Sequence, residues 1–142
     1  MPGGPGDHPG FLLWRVTLDW QRAVAAVLGP LGLTHVQFVL LACTYWLNEQ
    51  GLHPNQSTVA EQAATDVKMT SQVVRTLEAK GLLVREPDPA DSRAKCLRVT
   101  PAGAELAPRA MAAVEQADAE FFAPVAQRDA LAMLRSLARF EG

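Results

Sequence analysis

Apolar residues recur at helical spacing along most of this chain and give way to extended segments only between Leu82 and Val99. The first helical stretch runs from Phe11 to Leu28, with Phe11, Trp14, Leu18 and Arg22 along one strip, and Gly29, Pro30 and Gly32 stop it. Thr34 offers an N-cap to the segment from His35 to Gln50, which ends at Gly51. That segment is apolar nearly all round, which predicts the buried centre of the domain. His53 and Pro54 open a loop, and either Asn55 or Ser57 caps a short third helix reaching Ala64. Thr65 and Asp66 make a turn and cap a fourth helix that runs to Lys80, with Gly81 as its stop. Leu82 to Glu86 and Lys95 to Val99 read as strands, and the Pro-Asp-Pro-Ala-Asp run between them forms a hairpin tip. Thr100 and Pro101 start a fifth helix, with Pro108 expected to kink or break it early and Pro124 to end it near Phe122. A last amphipathic helix spans Gln127 to Phe140.

The fold class this predicts is mainly α with a small β-hairpin. From Gln56 to Gly103 the order is short helix, tight turn, polar-faced second helix, strand, charged tip and returning strand, which is a winged helix-turn-helix. The second helix of such a unit is sized to lie in a DNA major groove. Residues 34–100 would make the winged lobe. The helices at 11–30 and 101–140 flank it and suit a dimer platform, and residues 1–10 read as a disordered lead-in.

Within the fourth helix, Met69, Val73 and Leu77 recur at i, i+4 and i+8 beside Val74 and are assigned to the core. Lys68, Ser71, Gln72 and Arg75 point the other way. An arginine can take guanine O6 and N7 together, a glutamine can pair with adenine, and serine and lysine reach bases or phosphates. On the hairpin, Asp91 sits two positions before Arg93 and is placed to orient its guanidinium, which would then enter a minor groove while Lys95 meets phosphate. Ser57, on the short preceding helix, is placed with the DNA-facing residues.

Composition changes this picture little. The chain has 142 residues, 49% of them apolar and 20% charged, a balance typical of one water-soluble domain. No apolar run approaches the roughly 18 to 20 residues that span a bilayer. The N-terminal ten residues have neither the basic region nor the apolar core of a signal peptide. Two separated cysteines argue against a disulfide framework, and a reducing cytoplasm is the expected setting. The net charge is −2, yet residues 68–98 hold seven cations against four carboxylates, an excess of +3 that leaves −5 for the remainder. Positive charge therefore gathers where the groove-reading unit lies.

Three segments carry a family resemblance: Gly32 to Ala42, Leu77 to Glu86, and Asp91 to Gly103. On these the chain resembles the MarR (multiple antibiotic resistance regulator) family of bacterial winged-helix transcription factors, over about Phe11 to Phe140. Asp91, Arg93 and the run from Leu97 to Gly103 match the family's wing signature, with Val99 standing where a Leu usually precedes the Thr. The resemblance implies a triangular homodimer joined through the first, fifth and sixth helices. Its winged lobes would bind a pseudo-palindromic double-stranded operator, usually as a repressor, with a ligand or oxidation releasing the DNA. By position, Lys68, Thr70, Ser71, Gln72 and Arg75 match the groove-facing helix, and Arg93 matches the wing arginine.

Six of the nine aromatic residues fall in the first two helices. They suit either core packing or an effector crevice, in which Trp14, Arg15, His35, Phe38 and Trp46 would receive a small aromatic ligand of the phenolic kind common among regulators of this resemblance. A thiol-based sensor is an alternative. Cys43 lies in an apolar helix that favours an inert thiol, whereas Cys96 has the basic neighbour Lys95. Peroxide sensors of the resembled family carry a cysteine at the start of the first helix, and Phe11 to Val16 contains none. The three histidines form no metal-ligand spacing with each other or with the cysteines, and no phosphate loop or nucleophile motif is present. The sequence therefore predicts no enzyme, no metal and no cofactor. A winged helix serving only protein contacts would show an apolar face in place of Lys68, Ser71, Gln72 and Arg75.

Overall fold

Short polar side chains decide where the helices begin. In the computed structural model, which describes residues 3–140, the chain forms α1 (Pro9–Leu28), α2 (His35–Glu49), α3 (Gln56–Ala63), α4 (Val67–Ala79), β1 (Leu83–Pro87), β2 (Lys95–Val99), α5 (Pro101–Phe121) and α6 (Gln127–Ala138). Thr34 and Gln37 make a reciprocal capping box at α2, with Gln37 N donating to Thr34 Oγ1 at 3.3 Å and Thr34 N to Gln37 Oε1 at 3.2 Å. Asn55, Asp66 and Thr100 cap α3, α4 and α5. Each such cap stabilises its helix by about 1 kcal/mol. Asn55, not Ser57, is the cap of α3; Ser57 is an exposed residue of its first turn.

The apolar α2 is the centre, touching α1, α3, α4, α5 and β2. Leu40, Leu41 and Leu47 on α2 join Val24 and Leu28 of α1, Val59 of α3, Val74 and Leu77 of α4, Leu83 and Leu97 of the hairpin, and Ala107, Ala110 and Val114 of α5 in one core. Thr44 is fully buried there and satisfies its hydroxyl on Leu40 O at 2.8 Å.

β1 and β2 pair antiparallel from Leu83↔Val99 to Pro87↔Lys95. The outer edge of β2 is also occupied. Leu97 N donates to Pro54 O at 2.8 Å, Val99 N donates to Asn48 Oδ1 at 3.0 Å, and Asn48 Nδ2 donates to Leu97 O at 3.2 Å. A side-chain amide on α2 thus mimics a neighbouring strand.

Where β2 passes into α5, Thr100 N donates to Leu82 O at 3.1 Å and Thr100 Oγ1 to Gly81 O at 2.6 Å. Thr100 Oγ1 also accepts from Gly103 N at 3.0 Å. A Cβ at Gly103 would clash with Leu82 O, a backbone atom that cannot swing aside as a flexible side chain would.

The structure moves several boundaries. Pro9 and Gly10, assigned to the lead-in by sequence, form the first turn of α1, where proline's missing N–H is harmless, and Pro5–Asp7 make a 3-10 turn. Met1 and Pro2 lie outside the described residues. β1 begins at Leu83 and includes Pro87 at its last rung, where no further ladder bond is needed. Pro108 does not break α5, which runs unbroken from Pro101 to Phe121. Ala107 and Ala110 beside Pro108 are fully buried, and their packing outweighs a local cost of about 3 kcal/mol. α6 ends at Ala138 and buries only Ala130 among its described residues.

Gly103→Ala should lower stability by about 1 to 3 kcal/mol, the usual cost of forcing a methyl into a filled site. Urea denaturation checks this; an unchanged midpoint would mean that α5 can shift away from Leu82 freely.

Candidate nucleic-acid interface

The turn between α3 and α4 is fixed by its own hydroxyls. Ala64 ends α3 in the left-handed conformation at φ 57°. Thr70 Oγ1 donates to Asp66 O at 2.6 Å and lies 2.7 Å from Thr65 Oγ1, while Asp66 Oδ1 accepts from Met69 N at 2.7 Å. Thr70 is completely buried. It locks the turn and does not face outward, which corrects its placement among the DNA-facing residues.

The core stripe of α4 is Thr70, Val74 and Leu77. The apolar periodicity of the sequence starts the stripe at Met69, because a threonine does not register as apolar. Met69 is instead 39% exposed, and Val73 is half-buried. Lys68, Gln72 and Arg75 are exposed as expected, and Ser71 is half-buried with its Oγ accepting from Arg75 Nη2 at 3.2 Å. Thr76 joins the exposed face and was missed by the sequence pattern.

On the hairpin, Asp91 Oδ1 accepts from the backbone N of Arg93 at 3.0 Å. The guanidinium of Arg93 approaches the same oxygen at 3.7 Å and remains 94% exposed. Asp91 therefore shapes the tip through the backbone, and its hold on the guanidinium is a weak, screened contact. Lys95 is exposed on the strand at the base of the tip.

The remaining cations of this region are employed internally. Lys80 Nζ donates to Gly32 O at 2.6 Å and to Gln37 Oε1 at 2.7 Å, joining the end of α4 to the start of α2. Arg85 on β1 reaches Glu78 at 3.0 Å and Gln56 at 2.8 Å, tying the hairpin to α4 and α3. Arg98 pairs with Glu86 across the hairpin at 3.6 Å. Lys68, Arg75 and Lys95 form no ion pair among the described residues. The free positive charge thus sits on α4 and the hairpin tip.

The proposed effector residues are spread over α1 and α2. Trp14 is 64% and Trp46 48% exposed, Arg15 is exposed, and His35 and Phe38 are half-buried. His35 meets Trp20 edge to face with ring centroids 4.9 Å apart, and Trp20 Nε1 donates to Asp118 Oδ1 at 2.8 Å, joining α1, α2 and α5. Burial lowers the His35 pKa, and the Asp118 carboxylate opposes that shift in part. An open recess of about 380 Å³ lies elsewhere, between Asn48, Leu52, His53 and Arg98 at the edge of β2, and none of the five proposed residues lines it.

The surroundings of both thiols disfavour the thiolate. Burial raises the pKa of half-buried Cys43. Burial and the carboxylates of Asp88 and Glu86 raise that of Cys96, with Arg98 opposing, so the basic neighbour Lys95 does not favour a thiolate. Among the described residues no group of three or more His, Cys, Asp or Glu side chains could hold a metal, and no single helix is long and apolar enough to cross a bilayer.

Comparison with known proteins agrees with this architecture. Residues 33–95 match the profile of the MarR family. The chain is 41% identical over 126 residues to the uncharacterized HTH-type transcriptional regulator YdcH of Bacillus subtilis, covering 89% of this chain and 86% of that one. It is 35% identical over 136 residues to the HTH-type transcriptional repressor Rv2887 of Mycobacterium tuberculosis, covering 92% and 94%; the crystal structure of Rv2887 with salicylic acid superposes with a TM-score of 0.66, 30% identity and coverage of 93% and 95%. CouR from Rhodococcus jostii RHA1, crystallised with p-coumaroyl-CoA, superposes with a TM-score of 0.84 at 32% identity, covering 98% of this chain and 96% of that one.

The His35 environment carries a pH dependence. Its folded pKa lies below its ordinary 6.5, so the unfolded chain takes up the proton first as pH falls. The stabilisation is complete above pH 6.5 and is lost as pH drops towards the folded pKa. Thermal melts across this window should show the loss in the wild type and a flatter profile in His35→Asn.

Proposed function

The chain belongs to the MarR family of helix-turn-helix transcriptional regulators, and from that premise we propose that it is a repressor that binds a pseudo-palindromic operator as a homodimer. The observation that carries this reading is the separation of charges. Lys80 and Arg85 are hydrogen-bonded to internal partners and Arg98 makes only a loose 3.6 Å pair with Glu86, while Lys68 and Arg75 on α4 and Arg93 and Lys95 on the hairpin are left to solvent. Gln72, Ser71 and Ser57 extend the same surface. In this arrangement α4 enters the major groove, Arg93 the minor groove, and Lys95 lies against phosphate. The repressor sense is supported by the name of the relative Rv2887. A cytoplasmic location follows from this role.

The dimer reading rests on exposed apolar side chains at both ends of the chain. Phe11, Leu12, Leu13, Trp14 and Val16 on α1, and Leu131, Met133, Leu134 and Leu137 on α6, are each at least 39% exposed. Such an area on a single chain marks an interface, and a second copy brings two winged lobes to one duplex. Residues 11–30 and 101–140 then form the dimer platform around the lobe at 34–100.

For the effector, the reading is a small aromatic acid or its thioester. Two similar proteins, Rv2887 and CouR, are crystallised with salicylic acid and p-coumaroyl-CoA respectively. Trp14, Arg15, His35, Phe38 and Trp46 supply aromatic walls and a cation on α1 and α2, where a second copy would complete a crevice.

Binding to the intergenic region beside the protein's own coding sequence, measured over a salt series with and without phenolic acids, tests the whole reading. Specific binding that weakens steeply with salt is expected; equal affinity for random duplexes would overturn it. Arg75→Ala should cost about 1 to 3 kcal/mol of discrimination between operator and random DNA. Arg93→Ala should weaken DNA binding with little change in melting temperature. Light scattering should give the mass of a dimer, and Leu137→Glu should shift it towards the monomer.

A further inference from the structure

The tip of α4 presents two apolar side chains that the core does not use. Val67 is 74% exposed, the highest value among the exposed large apolar side chains of the described residues, and Met69 is 39% exposed. Most of the other exposed large apolar residues lie on α1 and α6, far along the chain from this helix. Val67 and Met69 stand on either side of exposed Lys68, and at about 100° per residue they project to opposite flanks of the helix.

The end of this helix is not free to take a phosphate. The carboxylate of Asp66 occupies it, accepting from Met69 N at 2.7 Å. The cap therefore takes up Met69 N, and the side chains of Val67 and Met69 themselves can contribute only apolar contact. In a major groove the one apolar feature of the base edges is the C5-methyl of thymine. Recognition helices place their N-terminal residues against those edges.

Resting on the DNA-binding reading above, we propose that Val67 and Met69 are specificity-determining residues that read thymine methyl groups in the operator half-site. Lys68 between them, with Arg75 further along the same helix, supplies the charge that holds the duplex, and the apolar pair selects where it rests. Val67 is suited to this because a β-branched side chain in a helix holds one rotamer and loses little freedom on contact. Met69 adds a flexible, polarizable group that adapts to the opposite wall. The locked turn of Thr65, Asp66 and Thr70 fixes the position from which both project.

The test uses the full-length protein and the tightest duplex selected from a randomised library. Each thymine is replaced singly by deoxyuridine, which removes the methyl and keeps base pairing. The expected result is an affinity loss of about fourfold at one or more half-site positions, the worth of one buried methyl. At each such position the loss should vanish in Val67→Ala or in Met69→Ala. Both sites are exposed and alanine favours the helix, so melting temperatures of the variants should match the wild type. No loss at any thymine, or losses that persist undiminished in both variants, would overturn the proposal while leaving DNA binding intact. Failure to select any duplex would instead overturn the DNA-binding reading, and this proposal with it.

Discussion

The backbone contact between Leu82 and the start of α5 is the constraint on which the arrangement of this protein depends. One carbonyl accepts from Thr100 N and lies where a Cβ on Gly103 would have to be. Thr100 meanwhile caps α5 and ties down Gly81 at the end of α4. Three elements therefore meet without intervening side chains: the end of α4, the hairpin, and the long helix that leaves the lobe. Any drift of α5 is passed directly to the helix and hairpin that carry the free cations, because nothing soft lies between them.

The charge pattern follows a related division. Lys80 and Arg85 are cations like Lys68 and Arg75, but they bind carbonyl, amide or carboxylate oxygens that fix α4 against α2, α3 and β1. Roughly half the positive charge of the lobe thus maintains the geometry with which the other half is presented. Counting charges along the sequence treats these groups alike, and only their partners separate them.

Much of the fold was legible from local chemistry. Thr34, Asp66 and Thr100 announced helix starts because a capping oxygen acts within three residues, and Gly51 and Gly81 announced stops for equally local reasons. The failures came where distant packing decides. Pro108 should have interrupted α5, but buried neighbours hold the helix together. Thr70 was placed on the groove-facing side by resemblance alone, yet the turn satisfies its hydroxyl and the side chain is buried, so the inferred core stripe began at Met69 and hid that residue's exposure. Asn48, Lys80 and Arg85 gave no local signal, since their partners lie far off in sequence. Lys68, Gln72, Arg75 and Arg93 are exposed as the sequence leads one to expect, because periodicity and hairpin position alone expose them.

The amide of Asn48 has a bearing on solubility as well as on packing. A two-stranded hairpin has two unpaired edges, and an open edge is a template on which other chains can add strands and aggregate. The Asn48 side chain and the Pro54 carbonyl fill the outer edge of β2 at Leu97 and Val99. On β1, charged Arg85 and Glu86 and the terminal Pro87 discourage a newcomer. The hairpin can therefore project from the lobe while offering little purchase for self-association through its strands.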